Sequence, residues 1–216
     1  GDGYKVAVID LGVKRNIIKS LLKRGCQVTV YPAETPAEEI IADAPDGIML
    51  TNGPGDPKDC KVTIKEVKKL FDTDIPIFAI CLGHQLLALA NGGDTVKMKY
   101  GHRGANHPVK DLKTGKVYIS TQNHGYMVKE ESLDRKVAEV SFINVNDGTV
   151  EGVHYLGKNA QTVQFHPEAC AGPLDTDFLF DVPANMFSHF TNSYIFSMFS
   201  NCKFHKIGRA SCRERV

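Results

Sequence analysis

Cys81, His166 and Glu168 are the residues that could carry out a covalent hydrolysis. Cys81 follows the apolar run Ile75-Pro76-Ile77-Phe78-Ala79-Ile80, which reads as a buried strand. It precedes Leu86-Leu87-Ala88-Leu89-Ala90, which reads as a helix closed by Asn91-Gly92-Gly93. A cysteine at such a corner, with Ala79 and Gly83 two positions to either side, has the pattern of a nucleophile elbow, whose crowded turn requires small neighbours. The corner aims the sulfur at the first turn of the next helix, where the dipole favours thiolate. His166 follows a last strand, Gln161–Phe165, and could take the thiol proton. Glu168, two residues on across the stiff Pro167, could accept from the other imidazole nitrogen and fix its tautomer. Oxyanion donors would be the backbone N–H of Leu82 and of Gly53. A buried structural thiol is the bland alternative for Cys81, but it leaves this agreement among strand ends unexplained.

These residues need a frame that brings strand ends together. Lys5–Asp10, Gln27–Tyr31, Gly47–Leu50 and the run before Cys81 read as buried strands. Val13–Arg24, Pro36–Ile41 (opened by the capping box Thr35-Pro36-Ala37-Glu38) and Cys60–Phe71 read as helices between them. Such alternation predicts an α/β fold: a doubly wound, mostly parallel sheet with helices on both faces. Ligands in these sheets lie outside the carboxyl ends of the strands. The loop there, Thr51-Asn52-Gly53-Pro54-Gly55-Asp56-Pro57, is stiff and rich in bare N–H groups, which suits an oxyanion or carboxylate. After Gly93 the alternation gives way to short strand candidates at Thr95–Tyr100, His107–Lys110, Val117–Thr121, Val137–Asn144 and Val150–Tyr155. They read as a β-rich extension, with the polar cluster Gln122-Asn123-His124-Gly125-Tyr126 between strands. His102, His107 and His124 then fall in loops without ligand-like spacing, His84 reads as a packed or supporting residue, and no metal site is expected.

The 216 residues carry a net charge of +1, 42% hydrophobic and 24% charged residues, so nothing points to nucleic acid or to a membrane surface. No apolar run reaches the roughly 18 residues that cross a bilayer, and no signal peptide is visible. Six scattered cysteines without CxxC spacing fit reduced thiols, hence a cytoplasmic protein. The last fourteen residues hold five Lys or Arg and one acid, and differ in character from the rest. The expected organisation is a catalytic domain over 1–182, a closing helix over 183–202 interrupted at Val182-Pro183-Ala184-Asn185, and a disordered basic tail over 203–216.

Three stretches, Cys81-Leu82-Gly83-His84-Gln85, Gly53-Pro54-Gly55-Asp56-Pro57 and His166-Pro167-Glu168, resemble class I (triad-type) glutamine amidotransferase domains. Gly101-His102-Arg103-Gly104-Ala105-Asn106-His107-Pro108-Val109, Gln122–Tyr126, and Gly172-Pro173 with Asp175 narrow the resemblance to the carbamoyl-phosphate synthetase small-subunit family. It implies hydrolysis of L-glutamine through a thioester on Cys81, with His166 moving protons and Glu168 supporting it. Gly53, Gly55, Leu82, Gln85, Asn123, Gly125 and Tyr126 would hold glutamine and its tetrahedral intermediate. It further implies ammonia delivery to a large synthetase subunit, which would bind the ATP and magnesium, so that this chain takes no cofactor itself. Family small subunits carry an N-terminal domain that has no counterpart before Lys5, and residues 203–216 match nothing in the family. Rival assignments are a glutaminase feeding anthranilate, guanylate or aminodeoxychorismate synthesis, a cysteine hydrolase on a similar sheet, and a degenerate regulatory subunit.

Overall fold

The computed structural model describes residues 3–168 and 176–181. Cys170, the Gly172-Pro173 and Asp175 positions, the Pro183 interruption, the closing helix and the basic tail lie outside the described residues. The described residues build one nine-stranded sheet in the order β2-β1-β3-β4-β9-β8-β7-β5-β6. Its first half is parallel: β2 (Gln27–Pro32), β1 (Lys5–Asp10), β3 (Gly47–Leu50), β4 (Ile77–Ile80) and β9 (Ala160–Val163). From β9 onward every pairing is antiparallel, through β8 (Val150–Tyr155), β7 (Ala138–Asn144), β5 (Thr95–Asp111) and β6 (Val117–Val128). The β-rich extension thus continues the same sheet.

Period-two alternation sorts the parallel strands onto two cores. Ala7, Ile9, Ile48, Leu50, Ile77 and Ala79 face one side. There they meet α2 (Ala37–Ala42), α3 (Lys61–Asp72) and α4 (Leu82–Ala90) through Ile40, Val67, Leu70 and Leu87. Val6, Val8, Met49, Phe78 and Ile80 face the other side, covered by α1 (Arg15–Lys23) through Ile17 and Leu21 and by Leu179 and Phe180. Helices therefore cover both faces, as a doubly wound sheet requires. α4 is buried at every position from Leu82 to Ala88, the pattern of a helix enclosed on all sides.

Three local expectations are corrected. Thr35 does not cap α2: the first helical N–H, that of Ala37, donates to Glu66 Oε2 of α3 at 2.8 Å, so a tertiary carboxylate replaces the local box. α4 begins at Leu82, directly after Cys81, and not at Leu86. The stretch Gly101–Asn106 is no loop, because β5 runs unbroken for 17 residues and absorbs its glycines as irregularities between Lys97 and His102 and between Gly104 and His107. His102 and His107 on β5, and the whole Gln122–Tyr126 cluster on β6, are accordingly strand residues.

Candidate active site

Cys81 is the hinge between β4 and α4, and its backbone has φ 53° and ψ −103°. A positive φ is uncommon for a side chain other than glycine and costs about 1–3 kcal/mol, so the surroundings must enforce it. They do so from both sides. The Cys81 N–H donates to Val163 O of β9 at 2.8 Å, and the Gly83 N–H donates to Thr51 O at 3.0 Å. Gly83 is glycine because a Cβ there would sit 2.5 Å from Leu50 O and 2.7 Å from Leu50 Cβ. Between these two engaged groups, the Leu82 N–H lies in the first helical turn, where no intrahelical acceptor exists.

The glycine loop closes over the same corner. A Cβ on Gly53 would lie 2.0 Å from Leu11 O and 2.7 Å from Leu82 Cδ2, so only glycine lets this backbone approach the start of α4. Thr51 Oγ1 bridges the loop to Ile9 O and the Leu11 N–H, and Asn52 accepts from Lys14 N and donates to Gly12 O. Gly55 adopts φ +102° in open space and bends the loop outward. Asp56 then caps a 3-10 turn at Pro57–Asp59 by accepting from Lys58 N, and it is also hydrogen-bonded to the Tyr126 hydroxyl.

β9 is adjacent to β4 in parallel register, Ile80 opposite Val163, which sets the chain after β9 beside Cys81. β9 ends at Val163, three residues short of His166, so that histidine is placed by a separate device. A single antiparallel bridge to Thr121 of β6 holds it, with His166 N donating to Thr121 O at 2.9 Å. His166 Nδ1 lies 2.7 Å from Glu168 Oε1, and both side chains are buried, 2% and 1% exposed. With Nδ1 engaged there, Nε2 is the nitrogen that serves the hydrogen bond between His166 and Cys81. Burial pushes the imidazole pKa down, but the hydrogen bonds and negative charges of Cys81 and Glu168 outweigh it and raise it to about 9. Burial likewise pushes Glu168 up, and His166 together with Lys14 pulls it below its ordinary value.

Lys14 was not visible as a site residue in the sequence. Its Nζ stands 3.5 Å from Glu168 Oε1, and Asn16 Nδ2 reaches Glu168 O at 3.4 Å. A lysine and an asparagine after a glycine break carry no signal of their own until the fold brings them 150 residues along the chain. Gln85 is buried and ties α4 to β6 and to the chain just past β9, donating from Nε2 to Tyr126 O and to Gln164 Oε1, each at 2.9 Å. His84 is fully buried with Nδ1 2.7 Å from Thr162 Oγ1, and burial beside His124 drives its pKa down to about 3, so it is neutral. Asn123 is exposed on β6, while Gly125 and Tyr126 are half-buried there. The structure thus brings Cys81, His166, Glu168, Gly53, Leu82, Gln85 and Tyr126 to one rim, with Gly55 at its outer edge and Asn123 and Gly125 on the flanking strand. The arrangement offers a thiol in contact with an imidazole, a carboxylate behind that imidazole, and bare N–H groups beside the sulfur. Those are the parts of an acyl-transfer site.

Residues 7–185 match the model of the family described as glutamine amidotransferase class-I. The carbamoyl phosphate synthase small chain of Staphylococcus saprophyticus is 51% identical over 190 residues, covering 88% of this chain and 52% of that protein. The carbamoyl phosphate synthase small chain of Listeria innocua is 55% identical over 181 residues, covering 84% of this chain and 50% of that one. The chain therefore spans about half the length of the curated relatives it matches. A crystal structure of a glutamine amidotransferase from Thermotoga maritima superposes with a TM-score of 0.65 at 16% identity, covering 89% of this chain and all of that one, a likeness of fold. The nucleophile corner, the glycine loop and the imidazole–carboxylate pair are set on the sheet that this family model describes, and the chain belongs to the class-I glutamine amidotransferases.

Proposed function

We propose that this chain is the glutamine-hydrolysing part of a carbamoyl phosphate synthase small chain, with Cys81, His166 and Glu168 as its catalytic residues. The observation that carries the chemistry is the elbow: Cys81, held at positive φ, is hydrogen-bonded to a buried His166 whose far nitrogen rests on Glu168. The observation that carries the narrower assignment is identity above 50% with two such small chains over most of this sequence.

Cys81 Sγ attacks the side-chain amide carbon of glutamine while His166, raised to about 9, already holds the proton that the departing nitrogen will need. The resulting oxyanion is stabilised by the N–H groups of Leu82 and Gly53, which the crowded corner presents without reorganisation. His166 returns its proton to the departing nitrogen, ammonia leaves and a thioester remains on Cys81. Water then attacks that thioester with His166 as base, giving glutamate and the free thiol. Glu168 keeps the imidazole in one tautomer throughout. Gly55, Gln85, Asn123, Gly125 and Tyr126 form the substrate wall, with Gln85 acting through its hold on the Tyr126 backbone. The ammonia passes to a large-subunit partner, where ATP and magnesium are used, while no cofactor enters the hydrolysis on this chain. The free thiols Cys26, Cys60 and Cys81 support a cytoplasmic setting. Among the described residues no helix is long and apolar enough to cross a membrane.

The test is ammonia and glutamate release from L-glutamine, by the chain alone and with a carbamoyl phosphate synthase large chain added. The expected result is a basal rate that rises tenfold or more with the partner, about 1.4 kcal/mol of barrier. Absence of glutamate under both conditions overturns the glutaminase assignment. A basal rate that the large chain leaves unchanged overturns the carbamoyl phosphate assignment alone.

A further inference from the structure

The antiparallel half of the sheet contains a second convergence of reactive side chains that glutamine hydrolysis does not use. His102 of β5 and His124 of β6 are directly paired across the hairpin, with ring centroids 5.0 Å apart. Glu151 of β8 reaches the same point, and all three side chains are buried, Glu151 completely. One potential ligand atom from each lies within 4.8 Å of the other two.

What distinguishes this cluster from a packed polar core is the direction of the imidazole protons. His124 Nδ1 lies 2.8 Å from Tyr126 O, a carbonyl that can only accept, so Nδ1 carries the proton and Nε2 presents a lone pair inward. His102 Nε2 lies 2.8 Å from Asp147 Oδ2 and donates outward to that carboxylate, while Nδ1 turns inward onto acceptor oxygens and so carries a proton that a metal ion would displace. Both rings thus commit one nitrogen to an outer acceptor, a carbonyl in one case and a carboxylate in the other. That is the support that metal-bound histidines ordinarily have. The two inward nitrogens converge on oxygen. Gln122 Oε1 lies 2.9 Å from His102 Nδ1 and 2.8 Å from His124 Nε2, and Glu151 Oε1 lies 3.1 Å from His102 Nδ1. Glu151 Oε2 is fully buried without a partner. A lone pair on His124, an amide oxygen and a carboxylate therefore face one another in a region closed to water.

We propose that His102 Nδ1, His124 Nε2, Glu151 and Gln122 Oε1 form a structural Zn2+ site that fastens the β5–β6 hairpin to β8. Two imidazoles with oxygen donors suit a borderline ion such as zinc, and not the all-oxygen shells of magnesium or calcium. Four protein donors leave no open position, which assigns the ion to structure and not to catalysis. Ligands about 2.0–2.2 Å from zinc stand roughly 3.3–3.6 Å apart in a tetrahedron; three of the six donor separations here are 2.8–3.1 Å, and the His102, His124 and Glu151 ligand atoms all lie within 4.8 Å of one another. Charge closes as well: a dication meets Glu151 in the inner shell and Asp147 in the outer one. The functional link is Tyr126 O, which accepts from His124 and from Gln85 of the glutamine site. An occupied site would stiffen the strand that the substrate wall is built on.

The experiment uses the full chain carrying Cys81→Ser, so that the active-site thiol does not compete for metal. After removal of metal by chelator, the protein is titrated with Zn2+, and separately with Co2+ while visible absorption is recorded. The expected result is one Zn2+ per chain whose binding raises the Tm, and a tetrahedral Co2+ spectrum without thiolate charge-transfer bands. Glu151→Gln should abolish that equivalent. Asp147→Asn, at an exposed residue that holds His102 from outside, should weaken it about tenfold. If no such equivalent appears, or if it survives unchanged in both variants, the proposal fails and the cluster is an internal His102 ion pair between Glu151 and Asp147.

Discussion

The two halves of the sheet solve different problems with different materials. The parallel half is apolar on both faces and pins its backbone by steric closure: Gly83 against Leu50, Gly53 against Leu11, and Cys81 forced to φ 53° between them. The antiparallel half buries Ser120, Gln122, His124, Asn144 and Glu151, and pins its strands by directional hydrogen bonds. Close packing fixes where a backbone is, which is what a strained nucleophile needs. Polar networks fix which way groups point, which is what a carbonyl such as that of Tyr126 needs. The candidate site lies at the seam, where His166 leaves β9 and bridges to Thr121 of β6.

The contrast is tested most severely at the seam itself. Cys81→Ser should lower kcat by about 10⁴-fold or more while glutamine still binds, because serine's hydroxyl is far harder to ionise. His166→Asn should be comparably slow, with any glutamyl thioester accumulating. Glu168→Gln should cost about a hundredfold less than Cys81→Ser, since imidazole keeps an acceptor. Quenched-flow mass spectrometry of the three variants, following the adduct on Cys81, decides the ranking. A Cys81→Ser variant with parent activity would sink the whole mechanism.

Within the apolar half, Ile48→Ala removes a fully buried side chain and should cost about 2–5 kcal/mol in urea denaturation. The kcat/KM of the protein that remains folded should not change.

The His166–Glu168 pair should make the seam pH-dependent. His166 is raised to about 9 from an ordinary value near 6.5, so its contribution is complete below about pH 6.5 and is lost as pH rises through 9. Glu168 is lowered, so its contribution is present above its ordinary value near 4.5 and is lost as pH falls. The stability gap between the parent and Glu168→Gln should therefore be widest near pH 6. By pH 9.5 it should shrink, by an amount on the order of 2 kcal/mol. A gap that is flat from pH 6 to 9.5 would show that the pair is not an ion pair in the folded state.

The smallest effect is expected in the polar half. Gln122→Ala removes the partner of two histidines and should cost about 1–3 kcal/mol. Its signature is an increase in KM for glutamine larger than the fall in kcat, because β6 carries the substrate wall. If Ile48→Ala raised KM equally, the division of labour between the halves would be wrong.

The parallel half was readable in the sequence because its demands are compositional. Unbroken apolar runs, a helix between each pair, and small residues around Cys81 are needed by any chain folding this way, and they appear in order. In the antiparallel half β7 and β8 were readable, but β5 and β6 only in pieces, because Gly101, Gly104 and Pro108 punctuate β5 as a turn would. Only the long pairing with β6 overrides that local signal. His102 and His124 therefore read as loop residues, and nothing in Glu151's neighbourhood announced that it would meet them. Lys14 was invisible for the same reason: its contact with Glu168 depends on the order of strands and on no spacing along the chain. Thr35 shows the converse failure, in which a correct local motif was displaced by the longer reach of Glu66.

The bridge between Thr121 and His166 also bears on timing. Under the proposed function, the base hangs from the same strand as the substrate wall, so a slip of β6 would move the imidazole and that wall together. The linkage would then work as a safety catch, disarming the thiol whenever the strand is out of register.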